Sequence, residues 1–205
     1  MIDRPAQDFL KPGLDRLAAP LVRAGLSADA MSLIGFALGL GAAALIGSSH
    51  EALALAPLLL SRLCDGLDGA MARQTQPTDR GAFLDITLDF LFYASIPLAF
   101  AISNPSSHAL SAAALLAAFI GTGSSFLAFA VLAERQGLSS ASFPRKGLFY
   151  LGGLTEAGET LIIFCAMCLW PSAFPLLAWL FAGLCCITIV SRLVTGWRVL
   201  SRPQP

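Results

Sequence analysis

The sequence predicts an all-α polytopic membrane protein with six transmembrane helices and an N-terminal amphipathic interfacial helix. Of its 205 residues, 56% are hydrophobic and only 13% are charged, whereas a soluble domain has about 25% charged residues. The apolar residues form six stretches, each near the roughly 20 residues that a helix needs to cross the hydrocarbon core. The formal net charge is zero, so the composition predicts no nucleic-acid partner.

Residues 1–27 are predicted to form an amphipathic segment on the cytoplasmic surface. Within 6–24, apolar residues lie on one side of a helix and basic residues lie among the polar positions (Phe9, Leu10, Leu14, Leu17, Leu21; Lys11, Arg16, Arg23). This pattern is typical of a helix in the membrane interface. Pro12 and Pro20 are expected to interrupt or bend the helix. An irregular basic tail is the alternative.

Residues 28–205 are predicted to form one six-helix transmembrane domain. Its spans cover 28–48, 52–74, 81–102, 108–133, 147–170 and 173–197. Basic residues are found near one end of the spans, with Arg62 as the exception inside the second (Arg4, Lys11, Arg16, Arg23; Arg73, Arg80; Arg135, Arg145, Lys146; Arg192, Arg198, Arg202). By the positive-inside rule, both termini face the cytoplasm. In a bacterium this membrane is the inner membrane.

Four aspartates in the second and third spans predict the functional site. Asp65 and Asp68 are three residues apart, and Asp85 and Asp89 are four apart, so each pair lies on one helix face. The two spans follow one another through a short connection and are antiparallel. At about 1.5 Å per residue, all four aspartates lie roughly 6–12 Å from the cytoplasmic end, in a cavity that opens to the cytosol.

Four carboxylates at this density require a cation, because like charges oppose one another's ionisation. The candidate ligands are all carboxylates, which favours Mg²⁺ or Mn²⁺, and two ions that bridge a phosphate would suit four carboxylates. Gly66, Gly69, Ala70 and Ala72 leave the adjacent helix face almost bare, and Arg73 offers a planar fork for phosphate. A proton or ion pathway is the alternative for intramembrane carboxylates.

The same residues resemble the signature of the CDP-alcohol phosphotransferase (CDP-alcohol phosphatidyltransferase) family. Eight positions agree in type and spacing over 25 residues (Asp65, Asp68, Gly69, Ala72, Arg73, Gly81, Asp85, Asp89). The six-helix layout and the cytoplasmic termini extend the resemblance over nearly the whole chain. Homodimerisation is also suggested by the resemblance, and the Gly35–Gly39 spacing in the first span permits close helix approach.

The resemblance implies a phosphotransferase of phospholipid biosynthesis. A CDP-linked donor, typically CDP-diacylglycerol, binds through its pyrophosphate to the metals, an alcohol hydroxyl attacks the lipid-side phosphorus, and CMP leaves. By analogy, Asp65, Asp68 and Asp85 are metal ligands, while Asp89 is the general base and an additional metal contact. Gly69 and Ala72 make room for the nucleotide, and Arg73 contacts donor phosphate.

The sequence departs from the family pattern where the first span begins. Family members often carry Asn and Thr there, whereas this chain has Asp29 and Ser32. Ser32 can supply the threonine hydroxyl to the nucleotide. Asp29 cannot donate a hydrogen bond when it is ionised, and a helix N-cap is an alternative role for it.

The acceptor alcohol is marked less clearly than the donor. Glu156 and Glu159 are predicted to lie deep in the fifth span and to face the cavity, or to pair with Arg62 or Arg192. Arg145, Lys146 and Arg192 are candidates for holding an acceptor phosphate, although Arg145 and Lys146 are equally explained as topogenic charges. These residues favour a small polyol or its phosphate. A membrane prenyltransferase and a non-enzymatic carrier are the other functional classes considered.

Overall fold

The computed structural model describes residues 3–136 and 153–201, and these residues form α-helices joined by short connections. The helices are α1 (Asp3–Arg23), α2 (Ala28–Gly47), α3 (Glu51–Gln74), α4 (Asp79–Ser103), α5 (Pro105–Arg135), α6 (Ala157–Leu169) and α7 (Phe174–Leu200), with a 3₁₀ turn at Pro171–Ala173. The predicted all-helical class is therefore confirmed. Helix α1 runs through Pro12 and Pro20, so the expected interruption is not found.

Local sequence explains where the helices begin and end. Gly25 has a φ of +85°, and the Leu26 N–H donates to the Leu21 carbonyl at 3.1 Å, which closes α1 in the way glycine allows. Ser27 then caps α2 by accepting the Ala30 N–H at 3.2 Å. Asn104 ends α4 and caps α5, with Pro105 in the first turn of α5.

Four helical segments in the described chain are long and apolar enough to cross a membrane. They are α2, α4, α5 and the segment Pro171–Leu200. Helix α3 has 24 residues but carries Arg62 and two aspartates, while α6 has 13 residues, about 20 Å of helix. The chain is therefore an integral membrane protein, and four of its helices qualify as spans by length and composition.

The predicted span at 147–170 differs from the structure at its start. Residues 153–156 are not helical, and α6 begins only at Ala157; residues 147–152 lie outside the described part of the chain. Irregular backbone needs partners for its polar groups, and the Leu154 N–H finds one in the hydroxyl of Thr188 on α7, at 3.1 Å. Glu156 and Glu159 consequently lie at the beginning of α6 and not deep within a helix.

Small residues let α2 lie close to α3 and α4 beside the site. A Cβ on Gly35 would be 2.9 Å from the Cβ of Cys64, and a Cβ on Gly39 would be 2.5 Å from the Phe92 ring. Both glycines are thus used in packing within the chain. The main core includes residues from each of the helices α2 to α7. Its large buried side chains are Leu58, Phe92, Phe100, Phe164 and Phe174. Helix α1 packs on α3 through a smaller cluster that includes Ala18 and Met71.

Candidate active site

The structure brings three of the predicted aspartates together between α3 and α4. One carboxylate oxygen from each of Asp65, Asp68 and Asp85 lies within 4.8 Å of the others. Asp68 is buried, Asp65 is half-buried and Asp85 is exposed. The helix spacing in the sequence explains this arrangement, because residues three or four apart share a face.

These aspartates line a cavity that also receives residues from α2. Its lining comprises Ser32, Gly35, Phe36, Ser61, Arg62, Asp65, Asp68, Asp85, Leu88 and Asp89. The Ser32 hydroxyl donates to Oδ2 of Asp68. The site is therefore formed by three consecutive helices, and α2 contributes a hydroxyl to the acidic group.

Asp89 lies in the same cavity but has a different partner. Its Oδ1 accepts a hydrogen bond from Nη1 of Arg62 at 2.7 Å, and the same nitrogen is 3.7 Å from Oδ1 of Asp65. The predicted alternative in which Arg62 pairs with Glu156 or Glu159 is therefore wrong. The i, i+3 spacing of Arg62 and Asp65 was the signal in the sequence for an arginine at this acidic site.

Asp29 does not act as a helix cap. Ser27 occupies the cap position of α2, whereas Oδ2 of Asp29 accepts from Nη2 of Arg80 at 2.6 Å. This ion pair ties the start of α2 to the first turn of α4. An asparagine in its place would lack the negative charge that holds Arg80.

Arg73 is held by a residue of α1 that the sequence analysis did not single out. Its Nη2 is 3.0 Å from Oδ1 of Asp15, and Nε2 of Gln74 donates to the Asp15 carbonyl at 2.7 Å. Gly69 lies on the same side of α3, where a Cβ would meet only Nη1 of Arg73, at 3.5 Å. The open helix face predicted around Gly69 and Ala72 is thus next to an arginine that α1 keeps in place.

A second polar cluster lies between α5, α6 and α7. Arg192 is buried, and its Nη1 donates to the carbonyl of Thr122 at 2.9 Å. Thr188 accepts hydrogen bonds from the Leu154 N–H and the Thr155 hydroxyl, each at 3.1 Å. Thr122 and Thr188 were not identified as partners from the sequence, because threonine in an apolar helix gives no distinctive pattern.

The remaining acceptor candidates divide between this cluster and the undescribed segment. The Glu156 N–H donates to Oε2 of Glu159 at 3.2 Å, and Oε1 of Glu156 accepts the Gly153 N–H at 3.1 Å. The two glutamates thus form part of a capping box at the start of α6. Arg145 and Lys146 lie outside the described residues.

The chemistry of the acidic group fits a divalent cation. Its three converging groups are carboxylates, which are the ligands that Mg²⁺ and Mn²⁺ accept. A buried carboxylate next to two others is costly without a compensating charge. The fold and this site together define a helical membrane protein with an acidic cavity at the meeting point of α2, α3 and α4, whose carboxylates fit a divalent cation.

Comparison with known proteins assigns this class to a family. The CDP-alcohol phosphatidyltransferase family matches residues 26–190, so the chain belongs to that family. It is a transferase of phospholipid biosynthesis that performs phosphatidyl transfer in a membrane. A relative from Escherichia coli, the inner membrane protein YnjF, is 48% identical over 151 residues, which are 74% of this chain and 73% of the relative.

Solved structures agree with the fold over almost the entire chain. Mycobacterium tuberculosis phosphatidylinositol phosphate synthase (PgsA1) with CDP-DAG bound has a TM-score of 0.68 at 25% identity, covering 94% of this chain and 98% of that one. The same synthase in complex with manganese and citrate has a TM-score of 0.69 at 25% identity, covering 94% and 93%. The family assignment favours phosphatidyl transfer over a prenyltransferase or a carrier.

Proposed function

We propose that this protein transfers the phosphatidyl group of CDP-diacylglycerol to the hydroxyl of a small polyol or polyol phosphate and releases CMP. The observation that carries the proposal is the convergence of Asp65, Asp68 and Asp85 within 4.8 Å, with Gly69 and Arg73 following Asp68 on α3. The donor is supported by the similar synthase that was solved with CDP-DAG bound.

Asp65, Asp68 and Asp85 are the proposed ligands of Mg²⁺ or Mn²⁺, and Asp89 is the additional acidic contact when two ions are present with the donor. Bound cations neutralise the phosphates, which is what phosphoryl transfer mainly requires. The hydrogen bond from Ser32 fixes one oxygen of Asp68. Asp65 of α3 and Asp85 of α4 each place one carboxylate oxygen close to that of Asp68.

Asp89 is the proposed general base. It takes the proton of the acceptor hydroxyl as that oxygen bonds to the lipid-side phosphorus, and the bond from this phosphorus to the CMP oxygen breaks with its electron pair on CMP. Arg73 binds donor phosphate. Gly69 and Ala72 leave room for the nucleotide, and Ser32 adds a polar contact to it. Such positioning converts a bimolecular encounter into an oriented reaction.

The acceptor residues are proposed around the second polar cluster. Arg192 is buried at that position and, together with Arg145 and Lys146, would bind an acceptor phosphate. Glu156 and Glu159 would contact acceptor hydroxyls, and their carboxylates also hold the irregular backbone at 153–156 by accepting the N–H groups of Gly153 and Glu156. This set of cations favours a phosphorylated polyol over an amino alcohol.

The proposed membrane arrangement has six crossings in residues 28–205, with residues 1–27 on the cytoplasmic surface. Both termini and the cavity face the cytoplasm, as the distribution of basic residues predicts. A homodimer would use a surface other than Gly35 and Gly39, since these glycines pack against Cys64 and Phe92.

The test is CMP release by the purified protein in lipid vesicles that contain CDP-diacylglycerol and Mg²⁺ or Mn²⁺. Separate reactions receive glycerol phosphate, inositol phosphate, inositol, serine or choline. We expect CMP with one polyol or polyol phosphate and none after EDTA is added. Turnover with serine alone would overturn the acceptor assignment. If no reaction releases CMP while the protein still binds CDP-diacylglycerol, the choice of acceptors is overturned. If the protein neither releases CMP nor binds the donor, the whole proposal is overturned.

A further inference from the structure

Arg62 is an arginine that the family signature does not use, and it lies inside the acidic site. Its side chain is only 12% exposed, on α3 one turn before Asp65. A buried guanidinium is expensive unless other groups compensate its charge and its donors. Its contacts therefore indicate what it does.

The guanidinium of Arg62 is held on three sides. Nη1 donates to Oδ1 of Asp89 at 2.7 Å, and Nη2 donates to the Ser61 hydroxyl at 3.2 Å. Cζ lies 3.8 Å from the centroid of the Phe92 ring, a cation–π contact. Asp89 and Phe92 are both on α4, so the arginine of α3 is fixed to the neighbouring helix.

The Phe92 ring that supports Arg62 is itself closely packed in the core. It is fully buried, and its Cδ2 lies where a Cβ on Gly39 would be only 2.5 Å away. It also packs edge-on against Phe164, with ring centroids 6.2 Å apart. The position of Arg62 is therefore set by the core and not by the flexible end of a surface side chain.

Asp89 is outside the group of converging aspartates and is in contact with Arg62, whose Nη1 is also 3.7 Å from Oδ1 of Asp65. Among the described residues, the group that converges within 4.8 Å contains Asp65, Asp68 and Asp85, while Oδ1 of Asp89 is occupied by Nη1 of Arg62. A monovalent cation on a side chain and a divalent ion compete for the same carboxylate, since each neutralises it.

We propose that Arg62 is a positioning residue that acts as a built-in counter-cation: it holds Asp89 in one orientation and withholds it from the cation-binding group until the donor arrives. The donor-free protein then binds one divalent ion through Asp65, Asp68 and Asp85. A second ion enters together with the negative charge of the donor diphosphate. The last step rests on the proposed function; the ion count without donor does not.

The experiment is a Mn²⁺ titration of the full-length protein in vesicles without CDP-diacylglycerol, with free Mn²⁺ measured by its electron paramagnetic resonance spectrum. We expect one bound ion per chain in the wild type. Arg62→Met should bind a second ion or bind Mn²⁺ at least about tenfold more tightly. Arg62→Lys should restore the wild-type curve. Arg23→Met, which removes an exposed arginine on α1, is the matched control and should leave the curve unchanged.

The double variant Arg62→Met/Asp89→Asn separates specific withholding from a general effect of charge. The gain in Mn²⁺ binding should disappear in the double variant, because the released carboxylate is no longer present. A gain that persists would overturn the assignment to Asp89, and an Arg62→Met curve that superimposes on the wild type would overturn the proposal entirely. Should Arg62→Met fail to fold, Arg62→Gln and its double variant provide the same comparison.

The two proposals fail in different ways. Absence of both CMP release and donor binding in the wild type would overturn the proposed reaction and leave the Mn²⁺ titrations unaffected. Unchanged titrations in the Arg62 variants, with normal CMP release by the wild type, would overturn only the role of Arg62.

Discussion

The acidic cavity and the Arg192 cluster are both polar regions within an apolar helical protein, but their polar groups have different partners. In the cavity, side chains contact side chains on other helices: Arg62 contacts Asp89, and Ser32 contacts Asp68. In the second polar cluster, next to a hydroxyl pair of Thr155 and Thr188, side chains also bind backbone: Arg192 donates to the Thr122 carbonyl, and Thr188 accepts the Leu154 N–H.

This difference indicates that the second polar cluster stabilises the fold, whether or not it also binds the acceptor. A side chain that satisfies a buried N–H or carbonyl removes a penalty of about 1–3 kcal/mol, so the Arg192 cluster contributes to holding residues 153–156 in place. Three carboxylates within 4.8 Å repel one another and contribute nothing of that kind. Their proximity is what the proposed binding of a divalent cation would require.

The largest expected effect is the loss of turnover in Asp89→Asn, which tests the role of Asp89 as the general base in the cavity. Asp89→Asn keeps the shape of the side chain and removes its basicity, so turnover should fall by about 10²–10⁴-fold. Mn²⁺ binding without donor should stay within about threefold of the wild type, because a cation held by Asp65, Asp68 and Asp85 does not depend on Asp89. CMP release and Mn²⁺ titration are the two measurements. Wild-type turnover would remove Asp89 from the role of base.

The next effect tests whether the second cluster also binds a ligand. Arg192→Gln removes the charge but keeps a donor for the Thr122 carbonyl. If Arg192 holds acceptor phosphate, the KM for the acceptor should rise about 10- to 100-fold, the worth of one charge-assisted hydrogen bond. The KM for CDP-diacylglycerol should not change.

Arg198→Gln, near the end of α7, is the matched control for Arg192→Gln and should leave both KM values unchanged. A lower unfolding temperature in Arg192→Gln with both KM values intact would show that the cluster serves the fold alone.

Alanine substitutions of Gly69, next to the acidic cavity, and Gly153, in the second polar cluster, compare how closely the two regions are packed. A Cβ at Gly153 would be 2.4 Å from Cγ2 of Thr188, whereas a Cβ at Gly69 meets nothing closer than Nη1 of Arg73, at 3.5 Å. Gly153→Ala should therefore destabilise the protein by about 1–3 kcal/mol. Gly69→Ala should leave the unfolding temperature unchanged or higher, since alanine favours a helix by about 1 kcal/mol, yet raise the KM for the donor roughly tenfold.

Thermal unfolding and donor KM, measured on both glycine variants, check this contrast. Gly41→Ala is the control, because a Cβ at Gly41 would enter open space. Equal destabilisation by Gly69→Ala and Gly153→Ala would contradict the idea that the first glycine is reserved for a ligand.

The same contrast explains which features could be predicted from the sequence. The aspartates of α3 and α4 were predictable because helix periodicity fixes which residues share a face, and a short connection makes the two helices neighbours. The irregular residues 153–156 were not, because their hydrogen-bond partner Thr188 is more than thirty residues away in the chain. The partners of Arg62 and Arg73 were equally inaccessible, since each depends on how a different helix packs on α3.

The smallest effect concerns the ion pair between Asp15 of α1 and Arg73 of α3. The side chain of Arg73 is 46% exposed and that of Asp15 is 38% exposed. Their contact therefore stabilises the fold by no more than about 1 kcal/mol. Its greater consequence is for ligand binding, because a donor phosphate must compete with the Asp15 carboxylate for the same guanidinium. Asp15→Asn should thus leave the unfolding temperature almost unchanged and lower the Kd for CDP-diacylglycerol about two- to fivefold.

Donor binding to vesicles that contain Asp15→Asn, measured at two salt concentrations, distinguishes competition from simple docking of α1. Competition predicts that the gain in affinity over the wild type shrinks at high salt, since screening weakens the exposed Asp15–Arg73 pair in the wild type. Asp8→Asn, on the same helix, supplies a control for the loss of one negative charge near the membrane. A weaker affinity of Asp15→Asn for CDP-diacylglycerol would mean instead that Asp15 orients Arg73 for the donor. The Asp15–Arg73 pair would then contribute to ligand binding, as the polar side chains of the cavity are proposed to do.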